Sequence, residues 1–234
     1  MRVVEPLGEE ALLLRVGDEA DAQTNARVHA LAAALEAKRP EWVRDIVPAY
    51  ATLAVFVDVL AMEDVAEPLA MAEAWIESTL SFPRRRESSE VPPGDMDSRL
   101  RGNDGRVVEI PVRFGGDDGP DLAAVAAAGG LSEPDTVARF CAPTYQVAML
   151  GFAPGFPYLL GLDPALAMPR LDAPRTRVPA GSVAIGGAQA GIYPREGPGG
   201  WRLLGRTPLG LFDPTRDPPA LLAPGHRVRF VPAP

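Results

Sequence analysis

The stretch from Tyr145 to Pro208 constrains the fold more than any other part of the chain. Short apolar runs alternate there with glycine and proline turns. It reads Y-Q-V-A-M-L-G-F-A-P-G-F-P-Y-L-L-G-L-D-P, then V-P-A-G-S-V-A-I-G-G-A-Q-A-G-I-Y-P-R and P-G-G-W-R-L-L-G-R-T-P. That alternation is the pattern of a small closed or sandwiched β-structure. Its aromatics, Phe152, Phe156, Tyr158, Tyr193 and Trp201, stand beside the turns rather than inside the strands. Backbone bent tightly by glycine and proline, carrying aromatic and arginine side chains, can form a concave small-molecule site. The same pattern also fits glycines that only turn corners and aromatics that only fill a barrel.

With 234 residues the chain has room for one large domain or two small ones, each with a real core. Its net charge of -8 argues against a general nucleic-acid or anionic-membrane surface, because phosphates would be repelled. Cys141 is the single cysteine, which excludes an internal disulfide or a cysteine-cluster zinc site. With only His29 and His226 besides, no metal centre is expected. The N-terminus carries acids where a signal peptide needs an apolar core, and no apolar run reaches the roughly 20 residues that span a bilayer. The expectation is a soluble, cytoplasmic protein.

Two strands are expected over 2–6 and 11–16, turned by Pro6 and Gly8. From Asp21 to Lys38, Val28, Leu31, Ala32 and Leu35 recur at helical spacing, with Asp21 as the cap and Pro40 as the stop. Strands near 42–47 and 52–57 follow. A second helix is expected over about 64–80, with Pro68 tolerated in its first turn. A strand at 107–112 would complete a β-α-β-β-α-β order of split βαβ type, so residues 1–112 read as an α+β domain. Inside it, 81–106 is polar, rich in proline, glycine and arginine, and without periodicity; it reads as a disordered surface insertion without a function. Residues 117–142 read as short helices, with Ser132 and Asp135 spaced as a capping box and Pro134 in the first turn. From Tyr145 the chain stays β-rich to a last alternating strand with Val228 and Phe230 facing in.

The sequence has no phosphate-binding glycine loop, and Gly186–Gly187 lacks the strand-and-helix flanks of a dinucleotide turn. It has no nucleophile elbow, and neither histidine belongs to a triad arrangement. Ser182 reads as a turn or strand-start hydroxyl rather than a nucleophile. The arginines are more informative. Arg170, Arg175, Arg177, Arg195, Arg202 and Arg206 gather in one region of an acidic chain. A guanidinium in a partly dry cleft suits capture of a carboxylate or phosphate. The alternative is pairing with Asp163, Asp172, Glu196 and Asp213.

Four blocks carry a resemblance: G-F-A-P-G-F-P-Y-L at 151–159, V-P-A-G-S-V-A-I at 178–185, I-Y-P-R at 192–195 and P-G-G-W-R-L-L-G-R-T-P at 198–208. In this order they resemble the signature of the family of B-type subunits of bacterial 5-oxoprolinase. That family is also described as KipI-like kinase inhibitors and as allophanate hydrolase subunit 1. P-L-G at 6–8 and P-A-Y-A-T-L-A-V at 48–55 extend the likeness to the N-terminal half. The resemblance implies a cyclophilin-like β-barrel over 113–234. It also implies a non-autonomous subunit. Such a chain works with a C-type subunit (KipA-like) and an A-type subunit to cleave 5-oxo-L-proline to L-glutamate at the expense of ATP. ATP is then held by the complex rather than necessarily by this chain. On this reading the barrel cleft positions the ligand through the turns at 152–158, 175–182 and 193–201. Its candidate binding residues are Phe156, Tyr158, Arg175, Pro179, Gly181, Ser182, Tyr193, Arg195, Gly199, Gly200 and Trp201, with no catalytic residue assigned. Inhibition of a sensor histidine kinase, or a place in a urea-carboxylation system, are the other activities the resemblance implies. Three positions depart from the family pattern: Phe140 stands where histidine is usual, Gly197 where serine is usual, and His226 follows Gly225 where aspartate is usual.

Overall fold

The computed structural model describes residues 3–62, 64–80 and 107–234, so the segment 81–106 lies outside the described residues. The chain divides into two compact units, Met1–Asp104 and Gly105–Pro234.

In the first unit, β1 (Val3–Pro6) and β2 (Ala11–Arg15) form an antiparallel hairpin. Helix α1 (Ala22–Glu36) follows, then β3 (Val43–Pro48), β4 (Thr52–Val57) and helix α2 (Pro68–Leu80). The four strands make one antiparallel sheet in the order β1-β2-β4-β3. Strand β4 therefore lies between β2 and β3, the split βαβ arrangement read from the sequence. Asp21 caps α1 as expected: its carboxylate accepts the Thr24 N–H at 2.8 Å. Val28, Leu31 and Leu35 of α1, with Ala72, Ile76 and Leu80 of α2, are buried with Leu12, Leu14, Leu53, Val55 and Val57 of the sheet. Helix α2 opens at Pro68 rather than near residue 64. Proline at the first helical position gives up an N–H that has no partner there, and its fixed φ starts the turn.

The strand expected to finish this sheet belongs instead to the second unit. Strand β5 (Val107–Phe114) pairs in parallel with β13 (Arg227–Pro232) over six residues, and with β12 (Arg202–Arg206) on its other side. The reason lies in β2, whose two edges are already taken by β1 and β4. A local hairpin closes that edge at less entropic cost than a strand arriving from residue 107. The division therefore falls at 104/105, not at 112.

The second unit holds α3 (Leu122–Ala128), α4 (Glu133–Cys141), β6 (Tyr145–Leu150), β7 (Pro157–Leu160), β8 (Arg175–Val178), β9 (Ser182–Gly186), β10 (Gln189–Ile192), β11 (Gly197–Gly199) and the two strands already named. Seven strands close a barrel in the order β10-β7-β6-β13-β5-β12-β9. Strands β8 and β11 form a separate two-stranded ribbon. Ser132 caps α4 by accepting the Asp135 N–H, as the spacing predicts.

One barrel wall is covered on both sides. All five residues of β9 are buried. Val183 and Ile185 face the barrel core with Ala190, Ile192 and Leu204, and Val228 and Phe230 join them there from β13. Ala184 and Leu203 face the other way, into a second cluster with Phe156, Tyr193 and Trp201. A strand buried on both faces reads as an unbroken apolar run, which is how V-A-I appears. The aromatics beside the turns therefore do not fill the barrel; they coat its outside. Among the described residues no helix is long and apolar enough to cross a membrane.

Candidate functional site

The outer aromatic cluster is gathered from three separate turns and one strand. Phe152 and Phe156 come from the loop between β6 and β7, and Tyr158 from β7 itself. Tyr193 follows β10, and Trp201 immediately precedes β12. Phe156 is the hub: its ring centroid lies 5.0 Å from Tyr158, 5.3 Å from Tyr193, 5.4 Å from Phe152 and 5.6 Å from Trp201. Three of these pairs meet edge to face, the arrangement the ring quadrupoles favour.

Two glycines make room for the rings. A Cβ on Gly191 would stand 2.8 Å from the Phe156 ring and 3.0 Å from the Trp201 ring. One on Gly186 would stand 2.6 Å from the Trp201 indole. Glycine at these strand positions lets the aromatics lie directly on the barrel backbone.

Phe152 is the unusual member. Its φ is 64°, in the left-handed region that a bulky side chain rarely adopts. Three backbone hydrogen bonds hold it there. The Ala153 N–H donates to Gly151 at 2.6 Å, Phe156 to Ala153 at 2.9 Å and Gly151 to Phe156 at 3.2 Å. The result is a phenyl ring left 66% exposed above the cluster. Such a residue marks a place where local strain is tolerated for what the side chain presents. Phe152→Gly is expected to cost under about 1 kcal/mol, because relief of the left-handed strain, about 1–2 kcal/mol, offsets the lost ring contacts. Phe156→Ala, at a buried ring, should cost about 3–5 kcal/mol. Urea unfolding of the two variants measures the contrast.

Between the rings and the ribbon lies a cavity of about 140 Å³. Phe152, Phe156, Tyr158, Tyr193 and Trp201 form its aromatic side, and Arg170, Leu171, Pro174, Gly199 and Gly200 complete it. An apolar protein cavity of about 150 Å³ takes a benzene ring, so this one suits a single small ring. The Arg170 guanidinium carbon lies 5.6 Å from the Trp201 ring centroid, in cation–π range. Burial pushes the Tyr193 phenol up, and its oxygen receives a hydrogen bond from the Trp201 backbone. Tyr193 is therefore a neutral hydroxyl whose own proton is available to a ligand. A Cβ at Gly199 would overlap that hydroxyl, which explains the glycine there.

Of the candidate residues from the sequence, Phe156, Tyr158, Tyr193, Gly199, Gly200 and Trp201 come together in this lining. The others lie outside it. Arg175 forms an ion pair with Asp121 at 2.8 Å, and its Nη1 is buried without a hydrogen-bond partner. Arg195 is exposed in the turn between β10 and β11. Gly181 and Ser182 act through backbone. The Gly181 N–H donates to the Tyr193 carbonyl at 2.7 Å, and the Tyr193 N–H to the Ser182 carbonyl at 2.9 Å. Pro179 turns the chain into them, accepting the Ser182 N–H at 3.3 Å. Ser182 is the first residue of β9 and buried, in keeping with a strand-start hydroxyl. Leu171 and Pro174 escaped the sequence reading; their L-D-A-P context marks only a turn.

The other signature arginines are held by the protein: Arg177 pairs with Glu196 at 2.8 Å, while Arg202 and Arg206 donate to the carbonyls of Pro169 and Ala180. The three departures from the family pattern also sit at structural positions. Phe140 is fully buried in the barrel core against Phe230, Tyr145 and Phe114. A Cβ at Gly197 would meet nothing within 4 Å, so either glycine or serine fits. His226 Nδ1 accepts the Ala223 N–H at 3.3 Å and closes the turn before β13.

Among the described residues no group of three or more histidine, cysteine or acidic side chains is arranged to hold a metal ion. Burial pushes the half-buried Cys141 thiol up to about 11. Its thiolate fraction at pH 8 is then on the order of 100-fold below that of a free cysteine. Reaction with an aromatic disulfide reagent should be slower in the native protein than in urea by about that factor.

Residues 2–222 match the model of the carboxyltransferase domain, subdomain C and D. The B-type subunit of 5-oxoprolinase from Bacillus subtilis (strain 168) is 40% identical over 233 residues, covering 97% of this chain and 91% of that protein. Its counterpart from Escherichia coli O157:H7 is 58% identical over 127 residues, 54% of this chain and 58% of that one. Among solved structures, TTHA0988 superposes with a TM-score of 0.76 at 39% identity over 96% of this chain. This chain spans 40% of that protein's length.

Proposed function

This chain belongs to the family of the carboxyltransferase domain, subdomain C and D, and we propose that it serves as the B-type subunit of an ATP-dependent 5-oxoprolinase, hydrolysing 5-oxo-L-proline to L-glutamate together with A-type and C-type subunits. The observation that carries this reading is the 40% identity to the B-type subunit of a 5-oxoprolinase over nearly the whole of both chains. The cavity agrees in scale, since about 140 Å³ accommodates a five-membered ring.

Hydrolysis of the lactam breaks its C–N bond. Water adds to the carbonyl carbon, the ring nitrogen leaves as an amine carrying a proton, and a carboxylate remains. An amide is a poor electrophile, and phosphorylation of its oxygen by ATP is the chemistry that would activate it. The residues lining this cavity do not fit the nucleotide. The cavity is too small, and the Gly186–Gly187 turn joins β9 and β10 of an antiparallel hairpin instead of opening a helix. ATP on this reading is bound elsewhere in the complex. The part of this chain is to hold and orient the ring, exclude water from its apolar face, and present the Tyr193 hydroxyl.

The test is ATP-dependent glutamate release from 5-oxoproline by this chain co-expressed with its genomic neighbours, in the presence and absence of this chain. Release that requires every component is the expected result. No release from a well-assembled complex would sink the reading and favour the kinase-inhibitor role.

A further inference from the structure

We infer that the cavity on the barrel wall is a binding site for a small lactam-sized ring bearing a carboxylate, with Arg170 as the carboxylate's partner and the Tyr193 hydroxyl as donor to the ring's carbonyl oxygen. This deepens the 5-oxoprolinase reading and rests on it for the identity of the ring.

The assignment of Arg170 comes from comparing the arginines around it. Arg175 and Arg177 are paired with Asp121 and Glu196, and Arg202 and Arg206 are engaged by backbone carbonyls. Arg195 is exposed and does not line the cavity. Among the described residues no carboxylate is paired with Arg170, which alone of the six lines the cavity. Its guanidinium carbon stands 5.6 Å from the Trp201 ring centroid, a cation–π contact that leaves the N–H donors for a ligand. A chain of net charge -8 repels small anions in general, so a carboxylate is retained only where such a local cation compensates. The rings of Phe156 and Trp201 offer an apolar surface for one face of a small ring. Phe152, held in a left-handed conformation at the mouth, supplies a further ring on the exposed side.

The experiment titrates 5-oxoproline and 2-pyrrolidinone, the same ring without the carboxylate, into the full chain and into the assembled complex. The readout is the Trp201 indole resonance, identified through Trp201→Phe. In either preparation, 5-oxoproline should shift that signal saturably, and Arg170→Ala should weaken binding about tenfold or more. Arg170→Lys should recover part of the loss. Wild-type protein should bind 2-pyrrolidinone as weakly as the variant does, with no further loss in the variant. Arg170 is exposed, so an unchanged unfolding midpoint serves as the folding control. Equal affinity of wild type and Arg170→Ala for 5-oxoproline overturns the inference, as does the absence of any saturable shift in both preparations. Glutamate release with an unchanged KM in Arg170→Ala also overturns it while leaving the 5-oxoprolinase reading intact. Carboxylate-dependent binding without glutamate release does the reverse.

Discussion

Trp201→Ala is expected to cost about 3–5 kcal/mol of stability, one of the two largest single losses we anticipate. The indole is 5% exposed and touches the barrel backbone at Gly186 and Gly191. Its removal leaves two glycines and the rings of Phe156 and Tyr158 facing a void. The site fails with the packing, because the same ring forms a cavity wall and orients Arg170. Trp201→Phe should retain most of the stability while weakening the hold on Arg170. Urea unfolding of both variants, beside their affinity for 5-oxoproline, measures this. A loss under about 1 kcal/mol for the alanine variant would mean that the outer cluster is not a packed core at all.

Arg175→Ala should destabilise the second unit by about 2–3 kcal/mol without altering the cavity. Asp121 has a side chain only 10% exposed, and both of its oxygens are engaged. One accepts from Arg175 at 2.8 Å and the other accepts the Leu203 N–H at 2.7 Å. Breaking a fully buried pair costs about 3–5 kcal/mol, and the 28% exposure of Arg175 lowers that. The check is a double-mutant cycle with Asp121→Asn, in which the two losses should be markedly less than additive. Affinity of the folded Arg175→Ala protein for 5-oxoproline should stay within about twofold of wild type. A selective loss of affinity at unchanged stability would return Arg175 to the site.

These two residues also show what the sequence could and could not convey. The five aromatics of the site were legible because each stands next to a glycine or proline turn, and such turns cluster on one barrel wall. Helix α1 was legible through its spacing and the Asp21 cap, and Ser132 likewise announced α4. Arginine partners were not legible. Arg175 meets Asp121 across 54 residues of sequence, and nothing local distinguishes it from Arg170, five positions earlier. Strand β5 was misplaced for a related reason. V-E-I-P-V alternates equally well in either unit, and its partner β13 is the last strand of the chain. The cluster's position outside the barrel was also hidden, because the unbroken apolar run of β9 does not say which face meets the barrel core. Only Gly186 and Gly191, each beneath a ring, reveal it.

The place of β13 bears on how the protein is made. It lies between β5 and β6, so the barrel cannot close before Arg227–Pro232 has left the ribosome. The first unit's four strands are complete by Val57. Translation at roughly 5–20 residues per second separates the two events by about ten to thirty seconds. From its own synthesis to the end of that interval β5 waits with an unpaired edge for a parallel partner, and the rings destined for the outer wall have no finished surface to lie on. A nascent chain of this design meets its chaperones with half of its fold complete and its ligand site entirely unmade.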